Sequence, residues 1–405
     1  MKRYIICFLL SVSMLSVYAV EDLQFYTGQY SNAKTVADQL LVVKTVAENY
    51  GEDAEAFTFS TTALKRLLQE YPNLKTIREV DIATDIAWYL TELIVSLGAD
   101  NASADSTVSY SLWQTIKTFS SPFVKVNAII GLGVIKDQKY FPNVVQILKD
   151  CTTVRPYDKA EQLAFERIAF AAITALESYA NPQGYLPVLF ASHAWYTGWV
   201  KKQAAESLPV ILADPTEALT LVIEGHAYSF AQKNIALQTL DESALSNEIK
   251  SQGAVAALFE GWFAVPQKDR ELIELRKHAV DMISRYGVAD DTVPLFETKN
   301  ISVLWLLDHS YRYGADDREQ RGAIAALATI ATDASTKQLA RYLNEINDRL
   351  QRGNLTKVDE RYARDIILAI GISANSSARA AVLHSLTLDW SRNVHQLLNE
   401  TLKQL

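Results

Sequence analysis

Apolar residues at relative positions 0, 1, 4, 7 and 8 recur along this chain, and that recurrence limits its fold more than any other feature. These offsets trace one face of an α-helix. Ala128, Ile129, Leu132 and Ile135 follow them, as do Ala172, Ile173, Leu176, Tyr179 and Ala180. So do Ala204, Ala205, Leu208, Ile211 and Leu212, then Ala279, Val280, Ile283 and Tyr286, then Ala323, Ile324, Leu327, Ile330 and Ala331. Ile82, Ala83, Ile86, Tyr89 and Leu90 fit as well, and shorter or weaker copies start at Ala236 and Ile366. Successive starts at 82, 128, 172, 204, 236, 279, 323 and 366 are 46, 44, 32, 32, 43, 44 and 43 residues apart. A register that resets at a near-constant interval is expected of stacked helix pairs, each burying its apolar face on the next.

Each copy from Ala128 onward is followed by an Asp or Asn: Asp137, Asn181, Asp214, Asp241, Asp291, Asp333 and Asn375. These residue types cap helix N-termini by accepting a bond from an early backbone N–H, so each is expected to open a second, shorter helix. Asp214-Pro215-Thr216-Glu217 has the spacing of a capping box with proline at the first helical position. After Asp137 the second helix carries its own stripe at Val144, Val145, Ile147 and Leu148.

The segments VKVNAIIGLGVIKDQKYFPNVVQILKD (Val124 to Asp150), VKKQAAESLPVILADPTEALTLVIEG (Val200 to Gly225) and LRKHAVDMISRYGVADDTVPLF (Leu275 to Phe296) carry a resemblance to the HEAT family of helical repeats. The resemblance covers roughly residues 75–390. It implies an all-α chain folded as a right-handed α-solenoid of stacked helix pairs, with the Ala-led helices lining a concave side that holds a protein partner. Two intervals of 32 residues are short for this class, and residues 241–268 and 297–315 look irregular enough to hold an extra helix. Residues 20–74, with helices expected over 33–50 and 61–71, read as an N-terminal helical cap, and 391–405 as a C-terminal capping helix, because a terminal repeat lacks one neighbour. The small residue at offset zero lets helices approach closely, so leucine at Ala205 or Ala279 is expected to overpack the seam.

The first 19 residues read as a secretory signal peptide. Lys2 and Arg3 precede an apolar run over 4–18, and Val17-Tyr18-Ala19 offers a cleavage site. The run is short for a membrane span, which needs about 20 residues, so cleavage after Ala19 is expected, with an uncleaved anchor as the alternative. The expected compartment is therefore periplasmic or extracellular, with no stable membrane span after the signal is removed. Loss of Lys2 and Arg3 leaves 37 basic residues against 47 acidic, a formal net charge of −10. A chain this acidic is a poor fit to nucleic acid or anionic lipid. Cys7 lies in the signal, which leaves Cys151 with no partner for a disulfide.

No catalytic, cofactor-binding or metal-binding residues emerge. The six histidines include no pair at i, i+4 and no His-Glu-x-x-His. Gly131-Leu132-Gly133 sits in a helical pattern with no preceding strand, so close helix packing explains it better than a phosphate loop. Nucleophile-elbow and Walker motifs do not occur. Asp290-Asp291 and Asp316-Asp317 are carboxylate pairs, read as helix caps, and Trp195 and Trp199, four apart, as sharing one helix face. The expected function is a non-catalytic scaffold or adaptor that binds a protein partner within a larger assembly. Its expected contacts are Lys201, Lys202, Glu206, Asp281 and Arg285. The alternative is an all-helical secreted hydrolase or carbohydrate-binding protein with a pocket at Trp195 and Trp199.

Overall fold

A computed structural model describes residues 23–101, 106–264, 268–289, 292–295 and 299–405. The signal-peptide reading and the Asp290-Asp291 pair lie outside those residues. Helix dominates, as the 3.6-residue apolar period requires. The chain divides into two compact units, one ending at Asp214 and the other beginning at Pro215.

The first unit holds α1 (Leu23–Asn32), α2 (Val36–Tyr50), α3 (Ala54–Glu70), α4 (Ile77–Asn101), α5 (Ser106–Thr118), α6 (Pro122–Ile135), α7 (Phe141–Thr153), α8 (Lys159–Tyr179), α9 (Tyr185–Ser192) and α10 (Gly198–Ile211). Alternate helices are neighbours: α2 packs on α4, α4 on α6, α6 on α8 and α8 on α10. The intervening helices form a second layer, with α3 on α5 and α7 on α9. Residues 23–74 thus supply three α-helices and a 3₁₀ turn at Tyr71–Asn73, and the helix expected from Thr61 begins seven residues earlier, at Ala54.

The second unit repeats the scheme with α11 (Thr216–Glu224), α12 (Phe230–Glu242), α13 (Asn247–Phe263), α14 (Arg270–Tyr286), α15 (Val303–Tyr313), α16 (Asp317–Ile330), α17 (Asp333–Gln351), α18 (Lys357–Ser373), α19 (Arg379–Leu386) and α20 (Arg392–Gln404). Here α12, α14, α16, α18 and α20 pack in succession, and α11, α13, α15, α17 and α19 do likewise. Between α14 and α15 lies a departure from the all-helical expectation. Strands β1 (Thr292–Leu295) and β2 (Lys299–Ser302) pair antiparallel, Thr292 opposite Ser302. Residues 297–315 therefore hold a strand and α15 in place of an extra helix. Residues 241–268 hold α13, the regular second-layer partner of α14.

All eight repeated faces fall on consecutive even-numbered helices, α4 to α18. Ala128, Ala172, Ala204, Ala236, Ala279 and Ala323 are all fully buried, as are Ile129, Ile173, Leu237, Val280 and Ile367 at the next offset. The short 32-residue intervals coincide with α9 and α11, second-layer helices of only 8 and 9 residues. On α10 the expected register is rotated. Ala205 is exposed and Leu208 half-buried, while Val200, Ala204, Ser207 and Ile211 face the core. Ser207 is drawn in by Glu177, whose carboxylate accepts from its hydroxyl at 2.6 Å.

Offset eight is a core position in the copy from Ile82, where Leu90 is fully buried, but in five later copies it ends the helix. Lys136, Ala180, Gly287, Ala331 and Ala374 stand there, and all five have positive φ, from 47° to 68°. Four are the left-handed caps that end α6, α8, α16 and α18, and Gly287 ends α14. The N–H of this residue closes the last turn, as in Lys136 to Leu132 O at 3.0 Å.

The Asp and Asn residues that follow are turn-formers more than α-helix caps. Asp137, Asn181 and Asn375 each accept from the backbone N–H two residues on, at 3.0 Å. Asn181 and Asn375 open single 3₁₀ turns, and Tyr140 and Thr332 precede α7 and α17 in place of Asp137 and Asp333. Asp241 lies inside α12, and α11 opens with Pro215 just outside its first turn. Successive turns are tied together: the Tyr179 hydroxyl donates to Asp137 O at 3.0 Å, and Asn375 donates to Asp333 at 2.8 Å.

Candidate functional site

The outer face of α14, α16 and α18 forms a groove of about 920 Å³. Small residues bring these helices close. A Cβ on Gly322 would sit 2.7 Å from Val280 Cγ1, so α16 lies against α14 at that point. The offset-zero face turns inward, and the positions between its residues line the groove: Asp281 and Ser284 on α14, Arg321, Ala325 and Thr329 on α16, Asp365, Leu368 and Ile372 on α18.

One end of the groove is charged and the other apolar. At the charged end, Arg318 bonds Asp281, and Arg321 grips Asp365 with two bonds of 2.7 and 3.1 Å. Asp317 accepts from Arg361 at 2.6 Å and from the Tyr362 hydroxyl at 2.9 Å. Asp316 caps α16 and pairs with Lys277 at 2.7 Å. Burial pushes the Asp316 carboxyl up, but Lys277 and the α16 backbone more than offset this and hold it below the usual range. The Asp316-Asp317 pair is thus a helix start whose carboxylates are bound to cations. Asp316, held in its charged form, has no proton to donate as a general acid. At the apolar end, Leu368 is 49% exposed and Ile372 71%, beside exposed Ala325 and Thr329.

The five expected contact residues divide between the two units. Lys202 pairs with Glu206 at 3.7 Å along α10, next to Lys201, in the first unit. In the second unit, Asp281 lines the groove while Arg285 turns to Asp241 at 2.6 Å. Asp241 also accepts from His278 at 3.0 Å and Tyr286 at 2.6 Å, a junction between α12 and α14.

Trp195 and Trp199 do not share a helix face, because α9 ends at Ser192 and α10 starts only at Gly198. Trp195 donates to Cys151 O at 3.3 Å, and Trp199 to Glu166 at 3.2 Å while packing on Phe170. The buried Glu166 carboxylate also accepts from Thr197 N, the Thr197 hydroxyl and Gln162. Burial pushes Glu166 up, and these four bonds prevail and hold it charged. Both indole N–H groups are therefore spent on fixing the α9–α10 turn. The groove, and a cleft of about 600 Å³ in the first unit, are lined by neither tryptophan.

Leu368 and Ile372 were legible as apolar residues at offsets two and six from Ile366, off the core face. Among the described residues, no helix is long and apolar enough to cross a membrane, and no three His, Cys, Asp or Glu side chains are placed to hold a metal ion. No family model matches this chain, and no curated protein is similar to it.

Proposed function

We propose that both units are stretches of HEAT-type α-solenoid and that the chain is a non-catalytic scaffold working outside the cytoplasm. The partner it holds is a protein whose amphipathic helical segment lies in the groove of α14, α16 and α18. The observation that carries this reading is the exposure of Leu368 and Ile372, one turn apart, on a floor continuous with Ala325 and Thr329. Burying one such side chain fully stabilises a complex by about 1.5–3 kcal/mol. The rim carboxylates already have cations from this chain, so the partner's attraction comes from the floor and depends little on salt. The extracytoplasmic compartment rests on the signal-like first 19 residues.

A photo-reactive amino acid at position 372, compared in cells with the same group at exposed Leu41 of the first unit, tests this. The expected result is one dominant adduct at 372 that maps to an amphipathic segment, persists in high salt and disappears with Leu368→Glu. Equal adducts at both positions, or an adduct at 372 indifferent to Leu368→Glu, contradict it. Fractionation that finds the chain in the cytoplasm contradicts the compartment.

A further inference from the structure

The cleft in the first unit differs in chemistry from everything around it. It runs between α3 and α5 and is closed at one side by the turn between α6 and α7. From α3 come Lys65, Leu68 and Gln69; from α5, Thr107, Tyr110, Ser111, Gln114 and Thr118; from the turn, Lys139. The α5 residues follow helical spacing along one face, which reads as a polar stripe where the repeat would place an apolar or charged one. In a chain with a formal net charge of −8, this cleft of about 600 Å³ has two lysines and, among the described residues, no carboxylate. That volume is ordinary for a small-molecule site.

Several of the lining side chains, Thr107 and Ser111 not among them, are also without partners among the described residues. No described carboxylate pairs with Lys65 or Lys139; Lys139 reaches only the Tyr140 ring, at 5.6 Å. The amides of Gln69 and Gln114 and the hydroxyl of Thr118 have no bond to a described group, unlike Ser111, whose hydroxyl donates to Thr107 O at 3.0 Å. The Tyr110 ring is 55% exposed and, among the described residues, stacks on no other ring. Two ammonium groups call for an anion, a row of amides and hydroxyls for a ligand rich in hydroxyls, and an exposed phenol ring in the same lining for a flat C–H face.

We propose that this cleft binds an acidic saccharide, a sugar ring bearing a carboxylate or a phosphate, with Lys65 and Lys139 on the anion and Tyr110 on the ring. The site stands apart from the α14–α16–α18 groove and does not depend on what that groove holds. Calorimetric titration of the purified chain with glucuronate, glucose 6-phosphate, glucose and inorganic phosphate tests it. Glucuronate and glucose 6-phosphate are expected to bind about tenfold or more tighter than glucose, because a charge-assisted bond to lysine is worth at least that factor. Inorganic phosphate is expected to bind more weakly than glucose 6-phosphate. Lys65→Gln with Lys139→Gln removes the preference for the charged sugars, and Tyr110→Ala weakens charged and neutral sugars alike. All three positions are at the surface, so unchanged melting of the variants shows that binding alone was altered. Equal affinity for glucose and glucuronate, equal affinity for inorganic phosphate and glucose 6-phosphate, no binding of any acidic sugar, or affinity unchanged in the double lysine variant each overturns the proposal.

Discussion

The two units use one layering scheme and hold it together differently. In the first, successive helices meet through backbone and apolar groups and through neutral donors such as Ser207 and Gln203 on Glu177, with no ion pair across a seam among the described residues. A Cβ on Gly133 would lie 2.5 Å from Ala175 Cα, so α6 rests directly on the backbone of α8, flanked by buried Ile129 and Leu132. Its ion pairs among the described residues, Arg66–Glu70 and Lys202–Glu206, each lie within one helix. In the second, charges cross the seams. Arg276 on α14, 2% exposed, bonds the fully buried Glu319 on α16 at 2.8 Å and lies over the Trp262 ring. Lys233 on α12 meets Glu260 on α13 at 2.6 Å. Buried ion pairs add little net stability compared with apolar packing, but removing one partner leaves a charge stranded. The lesson is that a repeat can be kept in register either by shape or by charge, and that the charged version is the more fragile to single substitutions and to acid.

The largest expected effect is on that fragile side. Glu319→Ala leaves Arg276 buried without its counter-charge and is expected to cost about 3–5 kcal/mol. Hydrogen exchange followed by mass spectrometry should show protection lost over α14 to α18 while α4 to α8 hold. Loss spread evenly over both units would erase the contrast. Acid should act in the same direction. Burial raises the Asp241 carboxyl, but Arg285, His278 and Tyr286 more than reverse this and hold it below the usual carboxylate range. Asp316 and Asp359 are also lowered. A carboxylate with a depressed folded pKa stabilises the fold above its unfolded value, about 3.9 for Asp, and that stability is lost as pH falls through the folded value. Below about pH 4 the second unit is therefore expected to lose protection before the first.

Smaller effects sharpen the register. Ala279→Leu, at a fully buried seam position, should cost about 1–3 kcal/mol. Ala180→Gly should stabilise by up to about 1 kcal/mol, because alanine there holds a φ of 49° that glycine adopts without steric cost. Ala205→Leu should change stability by less than about 0.5 kcal/mol, since Ala205 is exposed. Thermal melts of the three variants check all of these. A destabilised Ala205→Leu would restore the register first read from the pattern.

Much of the layering was legible, because a buried helix face must repeat at 3.6 residues and eight such faces recur in order. The mistakes lie where one residue type serves two roles. Alanine at offset eight looks apolar, yet at Ala180, Ala331 and Ala374 it takes a left-handed turn. On α10, Ala204 and Ala205 are equivalent by composition, and only the bond from Ser207 to Glu177 shows which faces inward. Asp241 had the spacing of a cap and serves as an acceptor for three side chains of α14. The groove was half visible: Asp281 was picked out, but its neighbours Arg318 and Asp365 lie 37 and 84 positions further along the chain. Pairing across such gaps is a property of helix packing and leaves no local pattern.

Hydrogen bonds between residues about 44 apart — Arg276 to Glu319, Arg321 to Asp365, Tyr362 to Asp317 — express the claim that helices one period apart are direct neighbours. A double-mutant cycle on Arg276→Met and Glu319→Leu, read by equilibrium unfolding, tests that claim most directly. The single variants should each be strongly destabilised, and the double variant should cost less than the sum of the two, with a coupling energy of about 1–3 kcal/mol. Additive losses, with no recovery in the double variant, would mean that these side chains do not meet and that the stacking described for the second unit is wrong.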